Sequence, residues 1–192
     1  QKNYIFAQNQ IYSMKKTFPL TALLLTSSVA ISQEKLDQTG KVSLGIQGLE
    51  ANYELPIAKQ LIWENSLGLG VGMNATSNKA EFNLNIPNVA PFVSSGLKWM
   101  YNFEKRVQKE KNTTNNAANY FGLQTKFSFG NNNSSSFQNQ ALLTDIHWGL
   151  QRNLGSKFTI NTNIGLGYLQ DFEFNEGSIT PILRLKFGYR LF

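Results

Sequence analysis

The sequence predicts an all-β fold: an antiparallel, up-and-down transmembrane β-barrel of eight strands. Three observations carry that expectation. The first is the alternation in LIWENSLGLGVGMN, residues 61–74. One parity holds Leu61, Trp63, Asn65, Leu67, Leu69, Val71 and Met73, and the other Ile62, Glu64, Ser66, Gly68, Gly70, Gly72 and Asn74. A period of two places these sets on opposite faces of a strand. The second is the length of the run. A tilted strand of roughly 9–11 residues spans a bilayer, whereas soluble strands are commonly about 5–6. The third is composition. Charged residues make up 16% of the 192 residues and aromatics 12%, against about 25% charged in an ordinary soluble domain. The sequence has no run of 18 apolar residues to form a membrane-spanning helix, as expected of strands that are only half apolar.

The chain divides into three parts. Residues 1–13 lack periodicity and read as an upstream segment. Residues 14–32 have the order of a secretory signal peptide. Met14-Lys15-Lys16 is basic, Phe18 to Val29 is apolar, and Ser28-Val29-Ala30-Ile31-Ser32 offers small residues for cleavage before Gln33. No cysteine stands at the cleavage site, so no lipoprotein anchor is expected. Residues 33–192 form the barrel domain. The net charge of +6 includes Lys2, Lys15 and Lys16. Without them, 15 basic side chains face 12 acidic ones, too mild and scattered a balance for nucleic acid. Cysteine is absent, which removes disulfides and thiolate metal sites.

Strand by strand, Val42, Leu44 and Ile46 share one parity, and Leu49, Ala51, Tyr53 and Leu55 the other. The phase change at Gly48 requires a bulge or a tight turn. An even strand number favours the turn. Pro56 closes this segment, residues 57–60 turn, and the Leu61 strand follows. Residues 75–91 read as a long loop. Val93, Ser95, Leu97, Trp99, Tyr101 and Phe103 then alternate with Ser94, Gly96 and Lys98. Residues 104–117 are a charged, Asn/Thr-rich connection. Three more strands carry Phe121–Phe129, Leu142–Leu150 and Phe158–Tyr168 on one parity, separated by a polar loop at 131–140 and a short turn at 153–156. An acidic loop at 170–178 precedes the last strand, Pro181 to Leu191. Loops 75–91, 131–140 and 170–178 fall on one end and are expected outside the cell. The shorter turns and the long 104–117 connection fall on the other.

These residues resemble the small outer-membrane β-barrel proteins of the Bacteroidota type, a porin-like barrel family. The likeness covers Gly40 to Phe192. It rests on GLEANYELP, on YNFEKRVQKEKNTTNNAANY, on WGLQRNLG, on IGLGY and on the terminal FGYRLF. It implies a cell outer-membrane location after export in a Gram-negative envelope. The implied partners are outer-membrane lipid and lipopolysaccharide, the barrel assembly machinery during biogenesis, and other envelope proteins. It implies no activity.

Inward parity collects the acids Glu50, Glu54, Glu64 and Asp145 and the bases Lys98, Lys126, Arg184, Lys186 and Arg190. An eight-stranded barrel is just wide enough for side chains to fill, so these charges are expected to pair as an internal network. His147, the only histidine, shares the inward face with Asp145, and Ser66, Ser94 and Ser128 also point inward. A Ser/His/Asp hydrolase is formally available, as in barrel enzymes that deacylate lipid A, but no nucleophile motif accompanies the pair. No cofactor and no metal site are expected, with one histidine and no cysteine. The strand glycines alternate with no helix following, so they are not a nucleotide loop. They are read as leaving room for lumen side chains. Two classes of function stay open. One is a structural or interaction barrel acting through its surface loops. The other is a lipid-modifying enzyme or a narrow pore for small solutes.

Overall fold

The computed structural model describes residues 35–71, 73–76, 79–82, 89–131 and 139–192. The expected upstream segment and signal peptide lie outside the described residues, as do most of the 131–140 loop and parts of 75–91. Among the described residues there are ten strands: β1 (Thr39–Gly45), β2 (Gly48–Ala58), β3 (Leu61–Val71), β4 (Met73–Thr76), β5 (Lys79–Phe82), β6 (Val89–Trp99), β7 (Asn119–Ser128), β8 (Ala141–Leu154), β9 (Phe158–Asp171) and β10 (Glu176–Arg190). Eight close into one antiparallel barrel in the order β1-β10-β9-β8-β7-β6-β3-β2, while β4 and β5 form a separate hairpin. The wall is sealed where β1 meets β10, from Lys41↔Arg190 to Gly45↔Lys186. The chain is an up-and-down barrel of eight strands, as its alternation predicts.

The phase change is a hairpin. Ile46 and Gln47 turn the chain, and Gly45 pairs with Gly48 across the β1–β2 ladder. Gly48 has φ +117, a backbone state that L side chains rarely adopt. Parity holds on every barrel strand. On β3, Trp63, Leu67 and Leu69 are exposed outside, and Ile62, Glu64 and Ser66 are buried inside.

Several boundaries differ from expectation. β2 continues through Pro56 to Ala58, with a register shift between those two residues, so the turn into β3 contracts to Lys59 and Gln60. The 75–91 segment contains most of the β4–β5 hairpin and the start of β6; the hairpin begins at Met73, so the Leu61 strand ends at Val71 and does not run to Asn74. The acidic loop 170–178 is mostly ladder, with Glu176↔Asp171 and Ser178↔Leu169 paired. Only residues 172–175 turn. Strand propensity misleads here, because a ladder extends wherever its partner does, even through Gln, Asp and Gly.

We call the end where β1 begins and β10 finishes the base, and the opposite end the crown. The β2–β3 and β8–β9 turns lie at the base, together with the connection between β6 and β7. That connection is not an open loop. It carries a short helix, α1 (Phe103–Gln108), and a 3-10 turn at Thr114–Asn116. Phe103 anchors the helix in a buried cluster with Leu36, Ile62, Met100, Ala118 and Tyr120. Asn115 and Asn116 both have φ +58, which asparagine tolerates better than most residues. A second apolar cluster, Leu143, Leu169 and Ile182, fills the lumen near the crown. No helix among the described residues is long and apolar enough to cross a membrane.

The turn geometry sets a paired test. A Cβ at Gly48 would lie 2.8 Å from the Gly70 Cα, whereas one at Gly155, with φ +91, would meet nothing within 4 Å. Gly155→Ala should cost only backbone strain, about 1–3 kcal/mol. Gly48→Ala should cost clearly more, because it also presses on the β3 backbone. Chemical unfolding of both variants checks this, and equal losses would contradict the hairpin geometry.

Candidate functional site

The barrel's interior holds its chemistry. Lys41, Ser43, Glu50, Asn52 and Glu54 point inward from β1 and β2, Glu64 and Ser66 from β3, and Lys98 from β6. Asp145, His147 and Gln151 come from β8, Asn161 and Asn163 from β9, and Arg184 and Lys186 from β10. Six of the charges form a chain of alternating sign. Lys41 Nζ lies 2.8 Å from Glu54 Oε2, and Lys98 Nζ lies 3.0 Å from Glu54 Oε1. Lys98 also pairs with Glu64. Lys186 Nζ lies 3.5 Å from Glu64 Oε1 and 2.6 Å from Glu50 Oε1. Neutral groups occupy the remaining acceptor positions. Glu54 accepts from Thr39 Oγ1 at 3.1 Å and Asn116 Nδ2 at 2.9 Å, and Glu50 from Asn52 Nδ2 at 2.8 Å. The cavity left among these side chains measures about 10 Å³, room for about one water.

The sequence-predicted network is thus largely assembled. Glu50, Glu54, Glu64, Lys98 and Lys186 belong to the alternating chain. Asp145 and Arg184 make a separate unit: the guanidinium engages both carboxylate oxygens, with Nη1 3.1 Å from Oδ1. Two residues depart from expectation. Lys126 has no carboxylate within ion-pair distance among the described residues, and its ammonium sits 3.8 Å from the centre of the Phe92 ring. Arg190 lies at the base opening, where it donates to Asn115 Oδ1 at 2.9 Å and faces Asp37 at 3.8 Å. Its strand has nearly left the barrel there, so inward parity leads to the mouth.

Lys41 was missed. An alternation that starts at Val42 leaves it out, although Lys41 shares parity with Ser43, which is signal enough to find it. Asn115 and Asn116 carried no such signal, because they enter the base from a connection without periodicity. Their bonds are nevertheless central. Asn116 accepts from the Asp37 amide at 2.7 Å and donates to its carbonyl at 2.8 Å, and Gln151 Nε2 donates to the Asn115 carbonyl at 2.7 Å.

The candidate catalytic pair is also brought together. His147 Nδ1 lies 2.6 Å from Asp145 Oδ1, and the Tyr120 ring meets the imidazole edge-on at 5.7 Å. The Nε2 side lies over Gly122, where any Cβ would collide with the ring. None of the expected serines reaches it. Ser66 accepts from Asn52 at 2.8 Å, Ser94 accepts from Gln124 at 3.2 Å, and Ser128 makes no bond to the imidazole. A general base needs a nucleophile within hydrogen-bond reach. Here Asp145 is committed to Arg184, and the imidazole completes a buried polar network. Among the described residues no group of three metal-ligating side chains gathers.

No protein-family model matches the chain, and neither a curated protein nor a solved structure does. The reading of the site therefore rests on its own geometry.

The barrel ends differ in charge. At the base, Lys35 and Arg190 flank the wall, Lys59 and Lys157 occupy the turns, Arg152 lies in the last residues of β8, and Lys105, Arg106, Lys109 and Lys111 line the connection. Among the described residues they face only Asp37, Glu104 and Glu110 there. At the crown, the β9–β10 turn carries Glu173, and Asp171 and Glu176 flank it in the ladder.

The network predicts an asymmetry. Glu54→Gln leaves Lys41 without a carboxylate and weakens the hold on Lys98, and should cost about 3–5 kcal/mol. Lys126→Met removes a charge that has no carboxylate partner and should cost much less. Equilibrium unfolding would refute the network if both cost the same.

Proposed function

We propose that the chain is an integral outer-membrane β-barrel whose lumen is closed by its own side chains, and that its role is structural or is exerted through the surfaces at its two ends. One observation carries this reading: the polarity of the barrel is inverted. Leu67 and Ile146 on the outer wall are each 65% exposed, while Glu54, Asp145 and Lys98 inside are 1%, 2% and 5% exposed. A wall of leucine, isoleucine and valine around a charged interior suits hydrocarbon outside. In water such a wall would be an apolar patch far larger than soluble monomers expose.

Three further features support it. β2, β3 and β6 each have 11 residues, the span of a tilted transmembrane strand. Outward aromatics gather near the base, with Trp99, Tyr101 and Phe121 ring centroids 5.4–6.3 Å apart. Such groups favour a membrane–water interface. The order basic, apolar, small in residues 14–32 suits export. With the base toward the periplasm, the crown loops meet the exterior, and lipopolysaccharide, envelope proteins and the barrel assembly machinery are the partners this placement offers. The closed lumen favours this role over a pore, and the failure of Ser66, Ser94 and Ser128 to reach His147 favours it over lipid hydrolysis.

The outer wall supplies the test. Leu67→Arg should destabilise insertion by about 2–4 kcal/mol, the cost of arginine near the bilayer midplane, whereas Leu67→Ala should be mild. Refolding titrations into lipid vesicles measure the difference. In cells, the protein should resist alkaline carbonate extraction and sediment with the outer membrane, and planar bilayers should record no steady conductance. A soluble periplasmic product, or an unaffected Leu67→Arg variant, would overturn the reading.

A further inference from the structure

One row of polar side chains crosses the outer wall. Asn65 on β3 pairs in register with Ser95 on β6, Ser95 with Thr125 on β7, and Thr125 with Thr144 on β8. All four share the outward parity of their strands, with Ser95 and Thr144 exposed and Asn65 and Thr125 half-buried. The next outward rows on both sides are apolar. Leu67, Val93 and Phe127 flank it toward the crown, and Trp63, Leu97 and Leu123 toward the base. The row is only partly satisfied. Trp63 Nε1 donates to Ser95 Oγ at 2.9 Å, and the Thr125 and Thr144 hydroxyls meet at 3.2 Å. The Asn65 carboxamide has no hydrogen-bond partner among the described residues. The short side chains also leave a groove of about 660 Å³ over Asn65, Ser95 and Thr125, bounded by Tyr53 and Phe192 at one end and Phe127 at the other.

Resting on the membrane reading above, this row faces hydrocarbon, which offers a carboxamide nothing to bond. Headgroups do not reach it. On β3, Leu61 and Trp63 lie between Asn65 and the base, and Leu67 and Leu69 between it and the crown, roughly 13 Å of strand on each side. What satisfies Asn65 must lie within the membrane at the same depth, with donors and acceptors of its own. Polar groups so placed pair with one another across protein contacts, and small side chains let the two surfaces approach. A carboxamide has two N–H donors and a carbonyl acceptor, so Asn65 complements a second Asn65. Insertion gives every copy the same direction, and a two-fold axis along the membrane normal keeps each residue at its own depth. Such an axis sets this row against the same row of another copy in an isologous contact. The far wall has no comparable row. Thr162 on β9 stands alone there, between Leu150 and Leu185. We infer that the face formed by β3, β6 and β7 is the interface of a homodimer within the membrane, centred on Asn65 and Ser95.

The chain has no cysteine, so single introduced cysteines, labelled before refolding, report on the contact. The mature protein carries a dye at F174C, in the exposed β9–β10 turn, and is refolded into phosphatidylcholine vesicles. Association is read as energy transfer while added lipid dilutes the protein. The parent protein should associate as a dimer. N65L should weaken association about tenfold, the scale of one polar contact within a membrane. It should also insert at least as stably as the parent, because leucine suits hydrocarbon better than a carboxamide does. T162V should leave association unchanged. Spin labels at L67C, beside the row, should lie closer together between copies than labels at L183C on the far wall. The labelled pair leaves the row intact and carries the test if N65L fails to fold, with circular dichroism confirming the fold. Absence of energy transfer at every dilution, undiminished association of N65L, or labels no closer at L67C than at L183C would overturn the interface. A monomer that keeps a bound lipid through native mass spectrometry, and loses it in N65L, would give the groove to lipid and equally overturn the dimer. A protein that alkaline carbonate strips from the vesicles would contradict the membrane reading itself, whereas one that stays inserted as a monomer overturns only this interface.

Discussion

The interior of a closed eight-stranded barrel is too narrow for each charge to keep a hydration shell, and this constraint governs the molecule. The run Lys41–Glu54–Lys98–Glu64–Lys186–Glu50 answers it with alternation. Each interior carboxylate in the run lies between cations or amides, so no single pair bears the full desolvation cost. The run also crosses the lumen. It ties β10 to β2 and β3, and β6 to β2, pairs of strands that share no ladder. Backbone ladders fix only neighbours around the wall, so these interior bonds hold the barrel's cross-section to one shape. Small residues make them possible. A Cβ at Gly149 would meet the Tyr120 hydroxyl at 2.6 Å, and that hydroxyl donates to Asn161 at 2.8 Å.

The base depends on the same interior. Asn115 and Asn116 are buried, and their side chains reach Asn153, Asp37 and Glu54. A segment that begins as a linker between β6 and β7 thus ends as the floor of the lumen. Its length is explained by this task. A short turn could join the two strands, but it could not carry Phe103 into the apolar cluster and two carboxamides under Glu54. The left-handed backbone at both asparagines is compensated by these bonds, which a freely hydrated loop would not supply.

Fold class was legible because alternation is a local signal and the barrel wall obeys it on every strand. The hairpin at Gly48 was legible for the same reason, since a phase change must have a physical cause. The lumen acids were found by parity alone, and so were four of the five predicted bases that enter the lumen or its mouth and make ion pairs. Parity does not report depth, and this is why Arg190 was assigned inside although it stands at the opening. It does not report partners either, so Lys126, resting on Phe92, looked like one more member of the network. The segments that failed were those whose conformation is set by contacts distant in sequence. The ladder through Asp171 and Glu176 exists because each strand supports the other. The floor at residues 113–116 exists because Glu54 and Gln151, far away in the chain, present acceptors and donors to it.

Closure of the lumen has a consequence for where the protein can meet anything else. Interior charges that satisfy one another exert little field beyond the wall, because alternating signs cancel over short distances. Apart from Lys126, the charges left unbalanced are those at the two ends, and they are segregated: basic side chains predominate at the base and acidic ones around the β9–β10 turn at the crown. Had the same side chains been mixed at both ends, they would have paired locally and contributed little. Segregated, they give the barrel an axis of charge along the strands, and the neutral outer wall between the ends does not interrupt it. An anion would thus encounter the base and a cation the crown, so the two ends are suited to different partners even though the strands joining them form one continuous sheet.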